Sequence, residues 1–285
     1  MKIISYNIQF GKGMDGVIDL ARTGNVIRGA DIICLQEVEQ GWQRSGNRDQ
    51  PAEIAGLIPT HYYVYGSSFD VDASSRAAHG AVINRRRRHG NMILSRWPVL
   101  SCRSFNLPKM HYDDRFNMQM TCVEAVIDTG NLTTRVYSYH AGYLLAEERL
   151  VQVADFITLF ARSPLERGAW SGKPGIDGDD WSNSRATPVM PETAIVCGDF
   201  NASPDTEEYR RLLDGTGLID CWALADPENQ RTSTLLKKPA EDIRVTGKVD
   251  HILITPDLSG RIERVAIGRD TDASDHKPVE AILSA

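Results

Sequence analysis

The stretch Ala194-Ile195-Val196-Cys197-Gly198-Asp199-Phe200-Asn201 reads as an apolar strand that runs directly into two polar side chains. The same pattern recurs on either side of it. Asn7 closes an alternating first strand, and Glu37 closes the run Cys34-Leu35-Gln36-Glu37-Val38. His140 ends Val136-Tyr137-Ser138-Tyr139-His140, Asp250 and His251 interrupt the run around Ile252-Leu253-Ile254, and Asp275 and His276 precede the last strand. Strand ends that converge on one rim can bring such groups together. Strands are expected at 2–8, 31–35, 61–65, 91–94, 118–127, 132–139, 194–197, 248–255, 261–267 and 279–283. Helices are expected at 15–28, 51–57, 144–160 and 204–213, the last capped by Ser203. Many strands with few helices indicate a mixed α/β layered fold. Residues 163–192, rich in Gly and Pro, form the one long irregular stretch, and nothing divides the chain into two cores, so a single domain over 1–285 is expected.

Composition sets the outer bounds. The chain has 285 residues, 41% of them hydrophobic and 25% charged, which is enough apolar material to offset chain entropy and rules out dominant disorder. No apolar run approaches the roughly 20 residues of a membrane-spanning helix, so no transmembrane segment is expected. The net charge of −6 argues against coating nucleic acid by bulk charge, though not against a local basic site. The five cysteines are odd in number and lack metal or redox spacing, so Cys34, Cys122 and Cys197 are expected buried and reduced. With no signal-peptide pattern at the start, the expected address is cytoplasmic. Oligomeric state is not legible.

The polar set is chemically coherent. Glu37 is a hard oxygen ligand suited to Mg²⁺ or Mn²⁺. Asp199 can orient or deprotonate a water, and Asn7 and Asn201 can donate hydrogen bonds to phosphate oxygens. Histidines beside carboxylates suit proton transfer near neutral pH. Together they describe metal-assisted attack of water on phosphorus.

The ordered series Ser-Tyr-Asn7-Ile, Leu-Gln-Glu37-Val, Gly90-Asn91-Met92-Ile93-Leu94-Ser95-Arg96, His140, Gly198-Asp199-Phe200-Asn201, Val249-Asp250-His251-Ile252 and Ser274-Asp275-His276-Lys277-Pro278 resembles the endonuclease/exonuclease/phosphatase superfamily. The resemblance implies a four-layer αββα sandwich of the deoxyribonuclease I type, with one site on the rim of two sheets. It implies Glu37 as principal metal ligand, supported by Asn7 and Asp275. It makes Asp199 the residue that orients water, Asn201 and His140 phosphate contacts, and His276 the stabiliser of the phosphate transition state, oriented by Asp250. Arg115 sits where some relatives place a phosphate-contacting arginine. Gln9 stands where some relatives carry a metal-binding aspartate. The stretch Arg44-Ser45-Gly46…Asp49-Gln50 is similar to a bacterial branch of unassigned substrate, which adds Arg44 to the expected substrate contacts.

Other polar residues carry plainer expectations. His251 is expected to be structural, Arg149 and Gln152 to pack or salt-bridge, and His61, His79, His89 and His111 to lie at the surface. Arg85–Arg88 is expected as an exposed run between strands, either a solvated loop or a clamp for a polyanion, and Trp42, Trp170 and Trp181 as groove-lining candidates. The expected substrate is a phosphoester. The acidic charge and the Arg44 stretch favour a small or lipid-type one, nucleic acid is the alternative, and a non-catalytic binding module the remaining one.

Overall fold

The structure is a computed structural model that describes residues 1–167, 190–229, 232–236, 247–268 and 271–284. In chain order the strands are β1 (Lys2–Asn7), β2 (Ile32–Gln40), β3 (Tyr62–Asp72), β4 (Ser75–Arg76), β5 (Val82–Ile83), β6 (Arg86–Ser95), β7 (Val99–Asn106), β8 (Thr121–Asp128), β9 (Thr133–His140), β10 (Ala194–Asp199), β11 (Ile219–Asp220), β12 (Asp250–Ile254), β13 (Ile262–Ile267) and β14 (Val279–Leu283). The helices are α1 (Leu20–Ile27), α2 (Gln50–Leu57), α3 (Ala146–Glu166), α4 (Glu207–Thr216) and α5 (Cys221–Ala225).

Two six-stranded sheets face each other. One has the order β13-β14-β1-β2-β6-β3 and the other β11-β12-β10-β9-β8-β7. Each has one parallel pair, β1 with β2 and β9 with β10. A parallel pair needs a crossover, and α1 and α3 supply it.

Alternation along each strand builds three apolar layers. Ile3, Ile32, Cys34 and Ile93 of the first sheet meet Val123, Val136, Ile195, Cys197 and Ile252 of the second. On the outer face of the first sheet, Ile4, Tyr6, Ile33 and Leu35 pack with Ile27 of α1 and Ile54 of α2. On the outer face of the second, Tyr137, Tyr139 and Val196 pack with Phe156 and Phe160 of α3 and Leu212 of α4. Burying one such side chain stabilises by about 1.5–3 kcal/mol. The result is the αββα sandwich that the motif series implies. Cys34, Cys122 and Cys197 are buried as expected.

Several expectations need correction. The helix expected over 15–28 begins only at Leu20, where the Asp19 side chain accepts the Ala21 N–H as N-cap. Thr206, not Ser203, caps α4 by accepting the Tyr209 N–H. Helix α3 continues to Glu166 through Pro164, so the irregular stretch does not start at Ser163. The rest of that stretch to residue 189, with Trp170 and Trp181, lies outside the described residues. β7 had no expectation at all. Arg86, Arg87 and Arg88 are not in a connection but inside β6, paired with Asp72, Val71 and Asp70 of β3. His89 is buried rather than at the surface, stacked on Phe69 at 5.5 Å between ring centroids. Among the described residues no helix is long and apolar enough to cross a membrane.

Candidate active site

Topology explains why residues so far apart in sequence meet. β1, β2, β9 and β10 run toward one rim, so Asn7, Glu37, His140 and Asp199 lie at or near their carboxyl ends. β12 and β14 run antiparallel to β10 and β1 and start at that rim. Asp250 therefore opens β12 directly opposite Asp199, which also pairs in register with His140. His276 arrives just ahead of β14. Asn7, His140, Asp199, Asn201, Asp250 and His276 are all buried, and Glu37 and Asp275 are half-buried.

The backbone at the rim is unusual in ways that aim these groups. Glu37 has a φ of 59°, and the pairing of β2 with β6 slips between Leu35 and Val38, so a bulge presents its carboxylate. Asn201 has a φ of 47°. Left-handed backbone at residues other than glycine costs energy and concentrates at functional sites. Gly198 is required by crowding, since a Cβ there would lie 1.9 Å from the Tyr139 carbonyl oxygen.

Asp199 is the junction. Its Oδ2 accepts from Asn7 Nδ2 at 3.0 Å and lies 3.7 Å from Nε2 of both His140 and His276. Its Oδ1 accepts the Asn201 N–H at 2.9 Å, which holds the left-handed turn. Asn7 Nδ2 also donates to Glu37 Oε1 at 3.0 Å, so one amide bridges both carboxylates. Its Oδ1 accepts the Gln9 N–H at 3.0 Å, and ligation of a metal by that oxygen needs the amide turned over. Gln9 Nε2 donates to Asp275 Oδ2 at 2.9 Å, so the residue in the departed aspartate position tethers a neighbouring carboxylate instead.

His276 and Asp250 form a buried pair, Nδ1 to Oδ2, at 2.9 Å. Burial alone disfavours the imidazolium, but the carboxylates of Asp250, Asp199 and Asp275 outweigh it and push His276 up to about 10. Burial raises the Glu37 carboxyl, opposed by His140, Asn7 and His276. A half-buried carboxylate that is costly to ionise fits a site for a divalent cation, whose charge offsets that cost. Asp199, Asp250 and His276 also offer three donor atoms within 4.8 Å of one another. His276 Nδ1 and Asp250 Oδ2 are already spent on each other, so we read that trio as a proton-holding pair plus Asp199. Glu37 is left as a candidate cation ligand.

Two expected substrate contacts are engaged with carboxylates of their own. Arg115 is exposed and pairs with its neighbour Asp114, Nη2 to Oδ2, at 2.6 Å. Arg44 donates to buried Glu39 Oε2 at 2.8 Å and stacks between Phe10 and Trp42.

Other residues brace the site. Ser274 Oγ donates to the Asn7 carbonyl at 2.7 Å, and Thr234 Oγ1 accepts the Asp250 N–H at 3.2 Å. Gln36 Nε2 donates to Ser138 Oγ at 3.0 Å, and Asn91 Nδ2 to the Ser138 carbonyl at 2.8 Å, tying the sheets behind the rim. Arg149 pairs with Glu208 at 2.8 Å, and Gln152 accepts the Gly142 N–H, so both steady the turn after His140. His251 Nε2 lies 3.0 Å from the Ala202 carbonyl, a structural bond beside Asn201. Polar residues inside apolar strands, such as Gln36, Asn91 and Ser138, were the sequence signal for this bracing.

The family model described as the endonuclease/exonuclease/phosphatase family matches residues 4–276. The chain belongs to that family. Members of the endonuclease/exonuclease/phosphatase family hydrolyse phosphoesters and generally depend on a divalent metal. Among solved structures the chain is similar to an endonuclease/exonuclease/phosphatase from Beutenbergia cavernae (18% identity, TM-score 0.67, all of this chain and 72% of that one). It is similar to a mannosyl-6-phosphatase from Bacteroides thetaiotaomicron (15%, 0.62, all of both chains). It is also similar to a 3′ phosphatase from Neisseria bound to a product DNA hairpin (18%, 0.62, all of both chains). At these identities the likeness is one of fold. No curated protein matches the chain.

Proposed function

We propose that the protein is a divalent-metal-dependent phosphoester hydrolase in which water attacks phosphorus. The observation that carries the reading is the placement of Asp199, held by Asn7 and equidistant from His140 and His276. Asp199 orients the attacking water and takes its proton. His276, kept protonated by Asp250, donates from Nε2 to a phosphate oxygen as negative charge develops there. His140 and Asn201 Nδ2 hold the remaining oxygens, and Asn201 exchanges its present bond to the Ala141 carbonyl to do so. Glu37 would hold Mg²⁺ or Mn²⁺, with Asn7 and Asp275 beside it, and the ion would supply charge stabilisation at the phosphate.

The acidic net charge and the Arg44 stretch support a small or lipid-type phosphoester. A row of guanidinium groups near the rim supports the second reading, nucleic acid. The test is turnover of a phosphoester panel (a generic aryl phosphodiester, sugar phosphates, sphingomyelin, DNA and RNA) in Mg²⁺, in Mn²⁺ and in EDTA. Expected is hydrolysis that stops in EDTA and falls at least about 10²–10³-fold in Glu37→Ala and in His276→Ala. Near wild-type rates in both variants would sink the mechanism, and no turnover of any substrate would leave the binding-module alternative.

A further inference from the structure

Alternation along β6 separates Arg86 and Arg88 from Arg87, and Arg85 lies just ahead of the strand. Arg86 and Arg88 point to one face and share Asp70, with N···O distances of 2.7 and 2.9 Å. Arg86 also lies 3.6 Å from Asp72. Arg87 falls on the opposite side from Arg86 and Arg88, and neither its guanidinium nor that of exposed Arg85 forms an ion pair among the described residues, although the Arg87 charge helps lower the nearby Asp72 carboxyl. Arg87 stands over the Trp42 ring at 5.9 Å, and its Nε is buried without a hydrogen-bond partner. A buried donor with no acceptor is costly and marks a place where an acceptor is missing.

Arg85 and Arg87, with Arg86, Gly41, Asn47 and Ala73, line a cavity of about 490 Å³. That size is usual for a ligand site, and no lining residue is acidic. Of its arginines, Arg87 is held against the Trp42 ring, which is itself fixed. Trp42 Nε1 donates to the Arg88 carbonyl at 2.9 Å, its ring packs edge-on against Phe69, and Arg44 lies over its ring at 4.9 Å. Stacked guanidinium groups lose little freedom when they bind an oxyanion.

The cavity is also placed relative to the reaction. Gly41, just past the end of β2, lies four residues beyond Glu37, about 13 Å or less away at strand rise. A compact monophosphate at Glu37 does not reach that far. A nucleic acid strand, with a phosphate at every nucleotide, covers the span within a few nucleotides.

Resting on the phosphoester-hydrolase reading above, we propose that the Arg85–Arg87 cavity is a second phosphate subsite. It would hold the backbone of a nucleic acid strand whose scissile phosphate lies at Glu37 and Asp199.

The test pairs binding with catalysis. Binding of a labelled single-stranded 12-mer is followed by fluorescence anisotropy in EDTA across a salt series, for the wild type, the double variant Arg85→Ala with Arg87→Ala, and the charge reversal Arg85→Glu. Hydrolysis of a generic aryl phosphodiester in Mg²⁺ is measured in parallel. The double variant is expected to weaken oligonucleotide binding about tenfold or more and to lower the salt slope by about 0.7 for each phosphate released. It should leave aryl diester turnover within about twofold of wild type, and Arg85→Glu should weaken oligonucleotide binding further. Unchanged affinity and slope would overturn the proposal, as would stronger competition from vesicles of an anionic phospholipid than from the oligonucleotide. Aryl diester hydrolysis without oligonucleotide binding would remove the subsite and leave the hydrolase reading intact. Arginine-dependent binding without any hydrolysis would do the reverse.

Discussion

Replacing Asp250 by Asn keeps the shape of the site and removes one charge, so its effect can be worked through. His276 is pushed up from its ordinary value of 6.5 to about 10. Asp250 contributes the largest of the upward pulls, while burial acts against all of them. Without that carboxylate burial opposes only Asp199 and Asp275, and a histidine back at its ordinary value of 6.5 sets the scale of the effect. At pH 8 the wild type is then essentially all imidazolium, and Asp250→Asn is about 3% imidazolium. If His276 acts as the donor to phosphate, kcat of the variant should be lower by about thirtyfold or more at pH 8. At pH 6 about three quarters of the variant is protonated, so its activity relative to wild type should recover about twentyfold. The assay is kcat against pH for an aryl phosphodiester in Mg²⁺. A loss of equal size at pH 6 and pH 8 would refute the role given to the pair. The same shift enters folding. A raised histidine gives stability that is full below its unfolded value and is lost as pH rises through about 10, so melting points should be compared alongside rates.

Two further predictions concern buried charge. His89 is pushed down to about 3, mainly by burial, with His140 and Arg44 adding repulsion. The unfolded chain then binds the extra proton first, so stability falls as pH drops below about 6.5, by about 2 kcal/mol between pH 7 and pH 5. Urea unfolding at both pH values should show that drop in wild type and a smaller one in His89→Gln, and equal drops would count against it. Lys248 pairs with Asp220 at 3.2 Å, both buried, with Tyr209 and His251 on the same carboxylate. Lys248→Met strands that carboxylate and should cost about 3–5 kcal/mol, read as a clearly lower melting temperature. A melting point within a degree or two of wild type would show that the pair is not needed.

The legible part of the site was the part that violates strand chemistry. Asn7, Glu37, His140, Asp199 and Asp250 each put a polar group where an apolar strand would otherwise continue, and such groups need partners. The arginine run was legible as charge but not as structure. Four arginines in a row have no apolar period, so the place of Arg86, Arg87 and Arg88 in β6 depends on cross-strand pairing with β3, where Asp70 and Asp72 meet Arg86. His89 was misplaced for a related reason. Its neighbours in sequence are arginines and a glycine, and its burial comes from Phe69 on the next strand.

The sequence by itself determined the candidate residues of the site and, through their order from Asn7 to His276, the family and its layered fold. That follows because backbone geometry ties local pattern to strand and helix, and each motif is local. The tertiary structure alone decided how those residues act on one another. It brought Asp199 within 3.7 Å of two histidines, turned the Asn7 amide toward two carboxylates, and raised His276 through Asp250. These are effects of distance and burial, and distance between residues so far apart along the chain is set by how the two sheets pack.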